Sequence, residues 1–216
     1  MKKKLVIFDL DGTLLNTIDD LATGANHALD VLGYPTHDAA TIRSFVGNGI
    51  NKLLERALPE GEKTEENILR MRSVFIPYYD EHNADLTVPY KGIPELLVRL
   101  QEEGVQLAVA SNKYQAATEK LVSHFFPDIN FIKVLGQRPE VPIKPDPAIV
   151  TAILQTAGVS KDAVLYVGDS GVDMLTALNA QVDAVGVPWG FRPKLELSTF
   201  PSLGLIDKAE ELLNYV

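Results

Sequence analysis

The stretch Lys4–Thr17, KLVIFDLDGTLLNT, constrains what this chain can fold into more than any other. From Lys4 to Phe8 it is almost purely apolar and rich in strand-forming residues, and it stops abruptly at an acid. A run without polar alternation suits a strand buried on both faces, as in a parallel sheet. Asp9 and Asp11 follow two residues apart, so extended backbone points both carboxylates the same way. Gly12 permits a sharp turn, and Thr13 offers a hydroxyl at it. Two acids facing one spot at the end of a buried strand repel each other and lose hydration, which calls for a cation between them. Mg²⁺ is the natural candidate, because it takes one or two carboxylates together with phosphate oxygens.

The pattern then turns helical from Ile18 to Asp85. Asp19 and Asp20 suit a first turn, Leu21, Ala25, Ala28, Leu29 and Leu32 line one face, and Gly33 with Pro35 stops the helix. Further helices are expected over Asp38–Phe45, from Asn51 to Leu58, and over Thr64–His82, where Pro77 is expected to kink or divide the last one. No strand is expected here, so 18–85 reads as an all-helical insert.

Beyond Pro89 strands and helices alternate. Helices are expected at Ile93–Glu103, Tyr114–Phe125, Asp146–Ala157, Val172–Ala180 and Lys208–Tyr215. Strands are expected at Val105–Ala110, Asn130–Leu135, Ala163–Val167 and Ala184–Val187. Alternation of this kind implies right-handed crossovers and a parallel sheet covered on both faces. The fold class is therefore α/β, a parallel-sheet core over 1–17 and 86–216 with an all-helical insert over 18–85.

In such sheets ligands bind beyond the carboxyl ends of the strands, and the polar residues of this chain fall there. Asp9 and Asp11 leave the first strand, and Ser111 and Asn112 leave Val105–Ala110. Lys144, in IKPDP, follows Asn130–Leu135, while Asp169, Ser170 and Asp173 follow Ala163–Val167 through Gly168. Singly each has a plain reading, as a helix cap or a solvated loop lysine. Four segments delivering acid, hydroxyl, amine and acid to one edge point to a shared site.

Charge and composition narrow the partners. A net charge of −9 argues against a nucleic-acid or acidic-membrane surface, so an anionic substrate has to be drawn by local cations. With no cysteine, thiolate metal sites, disulfides and cysteine nucleophiles are excluded. Lys2–Lys4 before LVIF superficially resembles a signal peptide, but the apolar run is too short and is interrupted by Asp9 and Asp11. A cytoplasmic protein without a membrane span is expected, and the sequence leaves monomer and dimer both open.

DLDGT, ASN, Lys144 in KPDP and GDSGVD together resemble the four motifs of the haloacid dehalogenase-like hydrolases, over nearly the whole chain. Within that family, IRSFVGNGINKLLERAL, PYKGIPELLVRLQEEG and GDSGVDMLTALNAQ are similar to phosphoglycolate phosphatases. The resemblance implies a Rossmann-like core over 1–17 and 86–216, and the insert over 18–85 looks like the family's small helical cap. An acid at Asp11 resembles the phosphatase and phosphomutase form of the first motif, whereas Asn16 departs from the Asp of many relatives.

The resemblance implies phosphoryl transfer from a small-molecule phosphate ester, most of all 2-phosphoglycolate, to Asp9, then hydrolysis of the aspartyl-phosphate. An ionised Asp9 meeting a phosphate dianion faces repulsion of about 4 kcal/mol per unit pair at 4 Å and an effective dielectric near 20. Cations must offset it: Mg²⁺ on Asp9, Asp169 and the Asp11 backbone carbonyl, together with Lys144. Asp11 would protonate the leaving alkoxide. Asp173 and Ser170 would steady the metal's water or Lys144. Ser111, Asn112, Gly12, Thr13 and Lys144 would bind phosphate oxygens. In the cap, Arg43 and the Gly47-Asn48-Gly49 loop are the expected leaving-group contacts. Lys113 could add charge near the phosphate or face solvent, and His27, His37, His82 and His124 read as structural. A phosphomutase acting on a sugar phosphate, and more remotely a phospho-acceptor signalling domain, use similar residue sets.

Overall fold

The computed structural model describes residues 2–216. Strand β1 (Leu5–Phe8) is fully buried and lies at the centre of a six-stranded sheet. After the turn at Gly12 come the two-residue strand β2 (Leu15–Asn16) and four helices, α1 (Ile18–Val31), α2 (Ala39–Phe45), α3 (Ile50–Ala57) and α4 (Glu65–His82). The short strand β3 (Val88–Pro89) then pairs antiparallel with β2. The alternating part follows as α5 (Ile93–Glu102), β4 (Gln106–Tyr114), α6 (Gln115–Phe125), β5 (Phe131–Gln137), α7 (Ala148–Ala157), β6 (Val164–Gly168), α8 (Gly171–Ala180) and β7 (Asp183–Gly186). A short α9 (Lys194–Leu197), β8 (Gly204–Leu205) and a 3₁₀ segment at Ala209–Tyr215 complete the chain.

All pairings in the large sheet are parallel, in the order β5-β4-β1-β6-β7-β8. Alternation along β1 divides its side chains between two layers. Val6 and Phe8 pack with Leu97, Leu100 and Leu121 of α5 and α6. Leu5 and Ile7 pack with Val150, Ile153 and Met174 of α7 and α8. The order reverses at β1, with β4 on one side and β6 on the other, so its carboxyl end opens onto the crevice where ligands bind in such folds.

The helical cap has its own apolar cluster, with Ala25 and Leu29 of α1, Leu54 of α3, and Met71 and Phe75 of α4. Ala117 of α6 and Phe191 of the loop after β7 join it. Asp38 caps α2 by accepting from Thr41 N at 2.7 Å, and Thr64 caps α4 by accepting from Asn67 N at 3.2 Å. At the two crossings between layers, Asp20 is buried and accepts from Leu86 N at 3.0 Å, from Thr87 N at 2.8 Å and from the Thr87 hydroxyl at 2.7 Å.

Several expectations need correction. Pro77 does not divide α4: a proline removes one ladder bond, and the buried Met71, Phe75 and Tyr79 hold both halves to the cap cluster. Strand β4 runs on to Tyr114, because β5 continues to pair with it as far as Tyr114 opposite Gln137. Ser111 and Asn112 therefore lie within extended backbone, and the helix begins at Gln115. The expected last helix is 3₁₀, and the ribbon β2–β3, α9 and β8 carry too few residues to show a period. Among the described residues, no helix is long and apolar enough to cross a membrane.

Candidate active site

Lys144 organises the end of the sheet. It follows β5 in the loop before α7, is buried, and donates from Nζ to Asp9 Oδ1 and to Asp173 Oδ1, both at 2.7 Å. The same ammonium reaches the carbonyl of Ala110 at 2.9 Å and the Tyr166 hydroxyl at 3.1 Å. Burial works against its charge, but Asp173 and Asp9 outweigh that and hold its pKa well above the usual lysine range.

Three buried acids, Asp9, Asp169 and Asp173, bring one carboxylate oxygen each within 4.8 Å of one another. The Asp9 carboxyl is pushed up to about 7, above all by burial, with Lys144 opposing and Asp173 and Asp11 adding to the rise. Asp169 is also raised, by burial and then by Asp173 and Asp9, with the Phe191 N–H opposing. Phe191 N donates to Asp169 Oδ2 at 2.6 Å, and the Thr13 hydroxyl reaches Oδ1 at 3.4 Å. Three carboxylates sharing one ammonium leave an excess of buried negative charge. An all-oxygen, all-carboxylate set of this kind fits a hard divalent cation, Mg²⁺ above the softer metals.

Space for this cluster depends on two glycines. Gly12 sits at φ +91, and a Cβ there would come within 2.4 Å of Asp169 Oδ2. A Cβ at Gly190 would meet the Gly12 carbonyl oxygen at 2.3 Å and the Asp169 side chain at 2.4 Å. Asp173 is fixed by a capping box at the start of α8, accepting from Ser170 N at 3.1 Å and from Ser170 Oγ at 2.6 Å.

Asp11 turns to the other side of the cleft. Its Oδ1 accepts from the Thr17 hydroxyl at 2.6 Å and from Lys113 Nζ at 2.9 Å. Lys113 is buried in this pair and does not face solvent. Ser111 is buried on the cleft wall, and its Oγ accepts from Lys113 N at 3.1 Å. Asn112 has its amide engaged elsewhere: Oδ1 accepts from Lys144 N at 2.9 Å, and Nδ2 donates to Lys144 O at 3.1 Å and to Gly47 O at 3.0 Å. It ties the lysine loop to the cap loop.

The cleft between sheet and cap encloses about 680 Å³, part of it continuous with solvent. Gly47 and Gly49 line it from the cap. Asn48 Oδ1 instead accepts from Arg56 at 2.9 Å, and Arg43 is exposed, with its guanidinium 5.9 Å from the centre of the Phe191 ring. The structure thus brings Asp9, Asp11, Thr13, Ser111, Lys144, Asp169 and Asp173 to one strand edge and leaves Arg43 and Asn48 to the side. His27 stacks on Tyr78, and the His37 ring bonds to Ala57 O within the cap, both away from the acids.

Sequence reasoning missed Thr17, Tyr79, Tyr166 and Arg192. Tyr166 was legible in principle, as a hydroxyl in an otherwise apolar buried strand two residues before Gly168. Arg192 had no local signal. From the loop after β7 it donates to three carbonyls at the end of α2, those of Arg43 and Ser44 at 3.3 Å and that of Val46.

The sequence matches the family profile described as haloacid dehalogenase-like hydrolase over residues 6–187. A phosphoglycolate phosphatase of Psychrobacter arcticus is 32% identical over 222 residues, covering 100% of this chain and 96% of the relative. One from Mesorhizobium japonicum is 31% identical, covering 99% and 98%. Among solved structures, a Lactobacillus delbrueckii protein provisionally named phosphoglycolate phosphatase superposes with a TM-score of 0.91 at 33% identity, covering 98% and 97%. A similarly named protein from Haemophilus somnus gives 0.92 at 30%, covering 99% and 98%.

Proposed function

Because this chain belongs to the haloacid dehalogenase-like hydrolase family, we propose that it is a Mg²⁺-dependent phosphatase acting on 2-phosphoglycolate through an aspartyl-phosphate at Asp9. The observation that carries this reading is the Lys144 ammonium bridging Asp9 and Asp173 at 2.7 Å each, with Asp169 alongside. Asp9 and Asp169, with the Asp11 backbone carbonyl, would hold Mg²⁺, which when bound supplies positive charge against the phosphate oxygens, while Asp173, engaged by Lys144 and Ser170, would orient Lys144.

With Oδ1 engaged by Lys144, Asp9 offers Oδ2 to phosphorus. The new P–O bond to Asp9 forms as the ester P–O bond breaks, and Asp11, with Oδ1 held by Thr17 and Lys113, gives a proton from Oδ2 to the departing glycolate oxygen. In the second half a water attacks phosphorus, Asp11 takes the proton of that water, and the bond to Asp9 breaks to release phosphate. The Ser111 hydroxyl, whose Oγ accepts from Lys113 N, would bind a phosphate oxygen, while Lys144 sets its positive charge beside Asp9; both are already in position before substrate arrives, so little reorganisation accompanies charge build-up. The cap roofs the site and limits entry of bulk water.

Phosphate release tests the proposal, measured with Mg²⁺ and with EDTA on 2-phosphoglycolate, sugar phosphates, pyrophosphate and nucleotides. Mg²⁺-dependent release led by phosphoglycolate supports it. Migration of phosphate between sugar positions without release would point to a phosphomutase.

A further inference from the structure

We propose that Lys113 and Tyr79 form the subsite for the carboxylate of the leaving group, a refinement that rests on the reading of 2-phosphoglycolate as substrate. Lys113 comes from the end of β4, with its side chain 4% exposed and Nζ 2.9 Å from Asp11 Oδ1. Its Nζ also lies 4.7 Å from the centre of the Tyr79 ring. An ammonium carries three protons, and Asp11 takes one. Tyr79 comes from α4, is 1% exposed and stacks on Phe75 with ring centres 5.0 Å apart. Its hydroxyl is buried and has no hydrogen-bond partner among the described residues. A buried hydroxyl of this kind calls for an acceptor, and both residues line the cleft.

The position suits a short acid. Asp11 serves the ester oxygen in the proposed reaction, so a cation against its carboxylate sits where a carboxyl group one carbon from that oxygen falls. The walls nearby are apolar, with Leu21, Ile50, Leu53 and Phe75 among them. Those walls leave sugar hydroxyls without partners, whereas a two-carbon acid presents only one charged end. The donors therefore come from the sheet edge and α4. Arg43 is exposed and is not among the described residues lining the cleft.

The test compares 2-phosphoglycolate with ethyl phosphate, which has the same carbon count and no carboxylate, in the wild type, Tyr79→Phe and Lys113→Met. The ratio of kcat/KM for the two esters cancels any effect on phosphoryl transfer common to both. It should favour phosphoglycolate in the wild type and fall about 10–100-fold in each variant, mainly through KM, as for a lost hydrogen bond to a charged group. Calorimetry gives a readout independent of turnover. Adding Tyr79→Phe to Asp9→Asn should weaken phosphoglycolate binding by a similar factor and leave inorganic phosphate binding alike. A wild-type preference for phosphoglycolate that survives in either variant overturns the paired subsite while the proposed function stands. A wild type with no such preference, or with no hydrolysis of either ester, overturns both.

Discussion

Lys144, on the sheet side of the cleft, has all its donors committed to Asp9, Asp173, Ala110 O and Tyr166, whereas Tyr79, on the cap side, is just as buried and its hydroxyl has no hydrogen-bond partner among the described residues. The same contrast runs through the two regions. Buried polar groups of the sheet edge are bonded to one another through short, charge-assisted contacts, as at Asp169 with Phe191 N and Asp173 with Ser170. The cap presents apolar side chains and only a few polar atoms to the cleft. A floor organised in advance stabilises charge that develops in the reaction, while a sparse roof is completed only by a ligand of the right chemistry. Changes in the mutually bonded acids and Lys144 of the floor should therefore lower turnover for every substrate, whereas changes at Tyr79 in the roof, or at Lys113 facing it, should alter which substrate is used.

The largest break should come from Asp9→Asn or from chelation. Either should abolish phosphate release, and wild-type-like release in Asp9→Asn would refute the nucleophile assignment. Asp11→Asn should follow, slowing turnover by roughly 10²–10⁴-fold in steady-state assays, the usual range for a lost general acid. Lys144→Met should lower turnover by about 10²–10³-fold and, by leaving buried carboxylates unpaired, cost about 3–5 kcal/mol in urea unfolding measured in EDTA. Arg192→Met removes the donors that hold the α2 carbonyls. It should raise KM by about 3–10-fold, as the loss of a hydrogen bond worth about 1 kcal/mol or slightly more does, with Tm nearly unchanged. Arg43→Ala should do least, shifting stability by no more than about 0.5 kcal/mol and leaving kcat/KM near wild type, since its side chain is exposed. A large loss in Arg43→Ala would erase the proposed difference between the regions.

The same contrast explains how much could be read without coordinates. The strand–turn–helix sequence places Asp9, Asp11 and Asp169 just beyond strand ends through local rules alone, because apolar periodicity and glycine punctuation fix where those strands stop, whereas Ser111 lies inside a strand that pairing with β5 prolongs. The Lys144 position followed because its loop has to leave β5 at the same edge. What could not be read depends on contacts distant in sequence. The Asn112 amide is held by Gly47 and Lys144, and Lys113 is buried against Asp11, 102 residues away. In the cap, spacing identified Leu21, Ala25, Ala28 and Leu29 as one apolar face, but nothing local separates Tyr79, which lines the cleft, from Tyr78, which stacks on His27.

The two-residue ribbon at the base of the cap sets Leu15 opposite Pro89 and Asn16 opposite Val88, antiparallel and in register. The backbone thus departs for four helices and returns to the adjacent position, with Tyr90 N closing onto Leu14 O at 3.1 Å. Such a ribbon is an interrupted hairpin, which a two-residue Asn-Gly turn could close directly. Everything between Asn16 and Val88 is then a cassette. The gap it occupies is no wider than one strand pair, so another lid of different size could be spliced there without shifting a single strand of the large sheet.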